Sequence, residues 1–245
     1  MTRQYGQDPI LEAVCEFHFA PDSPWDLTVP GLIYEEIKDQ FPNRQQCQVV
    51  NQLVINSKQG PQAKVQTIER MQFFTRDRTA LVQTNKHFLA VNHLKRYPTW
   101  STFWPMIEKG LGAYQRAAPG KILQVVLRYI NRIDIPGKSA TLRDYFNFYP
   151  ATSDALPINF STCIAGITSA VDDPRGQLGI QLTSIPGQGD TASMMLDIHH
   201  RLAESKGIAD DLVMAWVQDA HSYMVGVFEA CITDKTRELF GEPDE

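Results

Sequence analysis

The sequence predicts an α+β fold in which a curved antiparallel sheet is covered on one face by long helices. Three observations carry that expectation. The stretch Lys121–Ile135, KILQVVLRYINRIDI, alternates like a strand and far exceeds the usual strand of about five or six residues. Around it lie strand-like runs separated by turn residues rather than by helices, the pattern of a meander and not of βαβ units. Two long amphipathic segments bearing tryptophan, around Trp100–Tyr114 and Leu212–Cys231, carry apolar stripes that need a sheet face to cover.

Each element follows from the local pattern. Pro9–Phe19 (PILEAVCEFHF) reads as the first strand, with Leu11, Ala13, Cys15, Phe17 and Phe19 on one face. Ile10, Glu12, Val14, Glu16 and His18 occupy the other. Pro30 suits a first helical turn, so a helix is expected over Gly31–Phe41 with Ile33, Ile37 and Phe41 inward, stopped by Pro42. Cys47–Ile55 and Ala63–Thr75 read as strands, and Thr79–Thr84 with His87–Leu94 as a hairpin turning at Asn85–Lys86. A helix after Pro98 should bury Trp100, Trp104, Ile107, Leu111 and Tyr114, and Pro119-Gly120 ends it.

In the long strand, Leu123, Val125, Leu127, Tyr129, Ile133 and Ile135 share a face broken only by Asn131. Gln124, Val126, Arg128, Ile130, Arg132 and Asp134 form the opposite face. A short helical stretch, Leu142–Tyr149, precedes strands at Phe160–Val171, Gln177–Ile185 and Thr191–Leu202, with turns at Asp173–Gly176 and Pro186–Asp190. The last long helix starts at the caps Asp210 and Asp211 and carries Leu212, Trp216, Ala220, Tyr223, Val227 and Cys231 inward. One more helical turn is expected from Asp234. Strand, helix, meander, long helix thus occurs twice. This implies one domain over residues 1–245 built of pseudo-repeat halves at about 9–118 and 121–240. The layout resembles the two-repeat saddle of the TATA-binding protein family and, with less symmetry, the helix-grip folds; both are likenesses of fold, not of activity.

Bulk properties narrow the function. With 245 residues, 43% hydrophobic and 21% charged, the chain can bury a full core. A net charge of −5 argues against nucleic acid, whose binding leans on phosphate neutralisation. No apolar run approaches the roughly 20 residues of a membrane span, and the N-terminal MTRQYGQDP has no apolar leader core. A cytoplasmic setting is therefore expected. Cys15, Cys47, Cys163 and Cys231 form no CxxC pair and sit in apolar patterns, as buried reduced cysteines do.

Three segments together, PILEAVCEFHF at Pro9–Phe19, RYPTWSTFW at Arg96–Trp104 and LRYINRIDIP at Leu127–Pro136, resemble a sporadically distributed family of uncharacterised bacterial proteins. The helix WVQDAHSYMVGVFEACIT at Trp216–Thr233 adds to the likeness, which spans nearly the whole chain. The resemblance implies one full-length domain in a bacterial, cytoplasmic setting. It also implies an accessory gene of defence or toxin–antitoxin type, and it transfers no catalytic residue.

The candidate site is a polar strand face. Glu12, Glu16 and His18 share one face of the first strand, and Arg128, Arg132 and Asp134 share one face of the long strand. If the two strands pair, opposite charges lie across from each other, each pair adding about 0.2–1 kcal/mol. A structural ion-pair ladder is the preferred reading, and arginines recognising an anion or acidic partner the functional one. Lys86, His87, Lys95 and Arg96 form a weaker basic strip interleaved with Phe88 and Tyr97, of the kind that stacks on single-stranded nucleic acid. Asp197 and His199 share a strand face, but a lone D-x-H is a weak metal signal, and His199-His200 reads as a strand end. No metal, cofactor or catalytic residue is expected; Walker A, GxGxxG and GxSxG patterns are missing from the sequence.

The leading expectation is a non-catalytic binding protein that holds a protein partner on its open sheet face or edge, as a monomer or a homo-oligomer. The alternatives are a saddle or helix-grip domain binding a small ligand or nucleic acid, and an enzyme with an unrecognised site.

Overall fold

The computed structural model describes residues 5–57, 60–94, 97–137, 141–150, 162–173 and 175–241. In chain order the elements are β1 (Ile10–Phe19), α1 (Val29–Ile37), β2 (Asn43–Ser57), β3 (Gly60–Phe74), β4 (Ala80–Asn85), β5 (Phe88–His93) and α2 (Trp100–Ala117). These are followed by β6 (Ile122–Pro136), α3 (Leu142–Tyr145), β7 (Ile164–Ala170), β8 (Gly176–Ile185), β9 (Thr191–Ile208), α4 (Asp210–Cys231) and α5 (Asp234–Phe240). The fold is α+β. Among the described residues its nine strands make one curved, open sheet in the order β2-β3-β4-β5-β1-β6-β9-β8-β7, antiparallel at every pairing.

The long strand and the first strand therefore meet at the centre, as their two-faced sequences require. Ala13, Cys15, Phe17 and Phe19 of β1 and Val125, Leu127, Tyr129, Ile133 and Ile135 of β6 enter one core. That core also takes Ile33 and Ile37 of α1, Phe103, Ile107, Leu111 and Tyr114 of α2, and Val213, Val217, Ala220 and Met224 of α4. On the opposite face, among the described residues, Val14, Phe88 and Ala90 form a small apolar cluster.

Several boundaries differ from the sequence expectation, each for a local reason. A register shift between Ile122 and Gln124 puts Ile122, not Leu123, in the core. A second shift between Ile10 and Glu12 packs Ile10 rather than Leu11 against it. Asn85 pairs with Phe88, so the hairpin turns at Lys86-His87 and not at Asn85–Lys86. α1 starts at Val29 and ends at Ile37, although Phe41 is still buried beneath it. α3 is a single turn, because Phe146 leaves the helix to bridge Ile232. β7 begins at Ile164; Phe160 and Ser161 lie outside the described residues. β9 runs on to Ile208, which places His199-His200 in mid-strand rather than at an end.

Both long helices are rotated from the expected stripe. α2 buries Phe103 and Met106 beside Ile107, leaving Trp100 and Trp104 half-covered. α4 buries Val213, Val217, Ala220, Met224 and Cys231, whereas Leu212 and Tyr223 are 50% and 46% exposed and Trp216 is half-covered. Asp210 and Asp211 occupy the first turn of α4, where they complement the helix dipole; the cap itself is Ala209, with no side-chain bond. All four cysteines are unpaired, Cys15 and Cys231 buried but Cys47 and Cys163 partly exposed. Among the described residues no helix is long and apolar enough to cross a membrane.

Candidate functional site

The predicted polar face exists, but its pairs differ from those expected. Across the β1–β6 ladder Arg128 stands opposite Val14, with Glu12 and Glu16 opposite Ile130 and Val126. Arg128 instead turns to β9 and donates to both oxygens of Asp197, Nε to Oδ1 at 2.9 Å and Nη2 to Oδ2 at 2.5 Å. That bidentate bond raises the Arg128 pKa despite burial, with weaker help from Glu16 and Glu12. Arg132 bonds Asp134 two residues along its own strand at 3.0 Å and donates to Ser193 at 3.1 Å. Glu16 pairs with His18 on the same strand, 3.3 Å apart.

Glu12 begins a different feature. Its Oε1 accepts from Asn92 at 2.6 Å, Asn92 Oδ1 accepts from Gln83 at 3.0 Å, and Gln83 Oε1 accepts from Gln72 at 2.9 Å. This chain of hydrogen bonds crosses four neighbouring strands. Beside it the Phe88 ring is covered by Arg70, 4.0 Å from the centroid, and by His18, 5.2 Å away. The open face is thus largely bonded to itself.

Lys86 and His87 form the turn that leads into β5, about 20 Å along that strand from its exit at about 3.3 Å per residue. Lys95 and Arg96 lie outside the described residues, and Tyr97 is buried. Asp197 is engaged by Arg128, and the His199 ring lies over Gly179, where an added Cβ would fall 2.1 Å from it. Among the described residues no group of three His, Cys, Asp or Glu side chains has the arrangement of a metal site.

A cleft of about 830 Å³ opens where the N-terminal segment, the start of α2 and the middle of α4 converge over β6 and β9. That volume is in the range of small-molecule sites, about 300–1,000 Å³. Its floor is Tyr129, Asn131 and Ile198; its walls are Tyr97–Ser101 on one side and Gln218–Glu229 on the other; Tyr5–Ile10 forms a strap across it. The strap is held by Gln7 N–H donating to the Phe240 carbonyl at 2.8 Å and by Tyr5 donating to Glu229 at 2.6 Å.

Polar groups converge there. The Tyr129 hydroxyl and His221 Nδ1 are 2.8 Å apart, and when Tyr129 donates, the neutral ring carries its proton on Nε2. The indole of Trp100 stacks on His221 at 4.1 Å, its Nε1–H donating to Gln218 at 2.9 Å. Burial drives His221 down to about 4, so the ring is neutral at pH 7. Burial likewise pushes the Tyr97 and Tyr129 phenols well up. The Tyr97 hydroxyl is buried and coupled to that of Tyr129. Asp8, whose carboxylate accepts from Ile10 N–H at 2.8 Å, has its pKa raised by desolvation. Pro105 has no N–H, so the Ser101 carbonyl at the cleft lacks its usual helical donor.

His221 is the residue the sequence reading missed, since it falls inside an amphipathic helix without a motif. A signal was present: Asn131 breaks an otherwise apolar strand face two residues after Tyr129, and a buried phenol needs a partner. Asn131 meets its own need through the Leu196 carbonyl at 3.0 Å. Comparison with protein-family models, with curated proteins and with solved structures finds no match to this chain.

Proposed function

We propose that the protein binds a small, largely apolar ligand in the cleft between the start of α2 and the middle of α4. One observation carries the reading: a cavity of ligand size lined by the Tyr129–His221 pair, with Tyr97 and Trp100 beside it. Buried polar groups facing a cavity are unfavourable for folding alone, and a ligand that bonds them offsets the cost. The proposal treats the sheet as two pseudo-repeat halves joined at β1–β6, a saddle with helices over one face. Each side's strand order, the meander's last strand lying next to the half's first strand, supports that view. A bacterial accessory setting enters only through the sequence resemblance.

The test is a thermal-shift and ligand-observed NMR screen of wild type and Ser222→Trp, with mass spectrometry of small molecules released from protein purified from its host. Ser222 is exposed on α4 and lines the cleft, so tryptophan there fills the mouth without touching the core. Ligands should stabilise wild type and not the variant. Equal binding by both would sink the cleft as the site.

A second reading, a protein partner on a sheet edge, is favoured by one observation. Edge strand β7 leaves Ile164 and Ile167 74% and 51% exposed with no charged residue between them. Ile167→Lys should then abolish a stoichiometric complex seen on gel filtration.

A further inference from the structure

The cleft's walls specify the charge of what it takes. We propose, building on the cleft reading above, that its ligand is a cationic amine with an apolar body. Among the described lining residues there is no lysine or arginine, and two carboxylates, Asp8 and Glu229, are present. Glu229 is already neutralised by Arg237, whose Nε lies 2.8 Å away. Asp8 is exposed at the edge of the cleft and has no cationic partner among the described residues, so its carboxylate is open to a ligand's positive charge.

The remaining walls agree. Tyr5, Tyr97, Trp100 and Phe228 present aromatic rings to one space, and rings of this kind attract ammonium groups through their negative faces. His221 stays neutral at pH 7 and adds no positive charge to repel a cation. The first turn of α2 is the one opposing feature, a positive dipole end equivalent to about half an elementary charge. Against a carboxylate with no cationic partner among the described residues and several rings, it is the smaller influence.

The experiment compares three probes sharing one body: 4-phenylbutylamine, 4-phenylbutanol and 5-phenylpentanoate, titrated calorimetrically into wild type, Asp8→Asn and Ser222→Trp. The amine should bind wild type about tenfold or more tightly than the alcohol, and the carboxylate not measurably. Asp8→Asn, which keeps an oxygen for Ile10 N–H, should bring the amine down to the alcohol's affinity and leave the alcohol unchanged. Equal affinities, or a preference for the carboxylate, overturn the amine inference and leave the cleft standing. Binding by Ser222→Trp equal to wild type, or no binding of any probe at millimolar concentration, overturns the cleft and the amine inference with it.

Discussion

The two faces of the sheet handle polar side chains in opposite ways. On the open face they bond to each other in rows: Glu12 to Asn92 to Gln83 to Gln72, and Arg128 to Asp197. Where α2 and α4 pack against β6, Tyr97, Tyr129 and His221 gather in one place and line a cavity. A polar group satisfied by its neighbours contributes to stability and asks nothing of a ligand. If the cleft is the site, charge on a strand is a poorer guide to function here than a break in an apolar face.

The largest expected effect tests what holds the cleft's wall. Phe103 is fully buried and makes edge-on contacts with His93, Tyr97 and Trp100, at 6.4, 5.9 and 6.1 Å. Phe103→Ala should cost about 3–5 kcal/mol in urea melts. Trp104→Ala, on the half-covered side of the same helix, should cost about half as much. Equal losses would show that α2 is rotated relative to the arrangement described, and the cleft would lose its wall.

Next comes pH. His221 falls from an ordinary histidine value near 6.5 to about 4 because it is buried. In the unfolded chain it takes up a proton below about 6.5, while the folded chain does so only near 4. Stability must therefore fall with acid through that window, by up to about 3 kcal/mol from this one group. His199 and His200 are also lowered, mainly by burial, so they share the slope. The open face contributes elsewhere. Burial opposes the Asp134 carboxylate, but bonds from Arg132 and Ser193 outweigh it and hold the pKa below the usual range. That contribution is present above the ordinary carboxylate pKa and is lost only in stronger acid. His221→Gln should flatten the decline between about pH 6.5 and 4 without removing it; an unchanged profile would mean the ring is not desolvated in the cleft.

The contrast also explains which parts of the sequence were legible. Strands and turns were readable because alternation and proline or glycine punctuation are local: β8 and both long helices fell close to their expected places. Helix rotation was not readable. Phe103 and Trp104 are neighbours in a segment rich in aromatics, and only contact with Val82, Val91 and their neighbours on the sheet decides which one turns inward. Gly110 marks that contact, since an added Cβ would fall 2.9 Å from Val91. Arg128, Glu12 and Glu16 were correctly placed on one face, but their partners depended on which strand lies on the far side of β6. That strand is β9, some seventy residues on, and alternation carries no information about it. The cleft needed three such distant placements at once: the strap before β1, the start of α2 and the middle of α4.

The smallest effects lie on the open face and separate a ladder from a site. Arg128 and Arg132 share a strand face, yet their partners differ in burial: the Asp197 side chain is 11% exposed and that of Asp134 47%. Arg128→Gln strands a largely buried carboxylate and should cost about 1–3 kcal/mol. Arg132→Gln loses only an exposed pair and should cost about 0–1 kcal/mol. Adding Asp197→Asn to Arg128→Gln should recover part of the first loss, because the amide has no charge to desolvate; the double-mutant cycle measures that coupling. If the face is a ladder, all these variants keep the cleft's ligand affinity and any partner complex while differing in stability as stated. Arg132 borders a second cavity that shares Asp8, Pro9, Ile10, Tyr97 and Pro98 with the cleft, so the deciding outcome is loss of a partner complex in Arg132→Gln with the cleft's ligand affinity kept, which would return function to the open face.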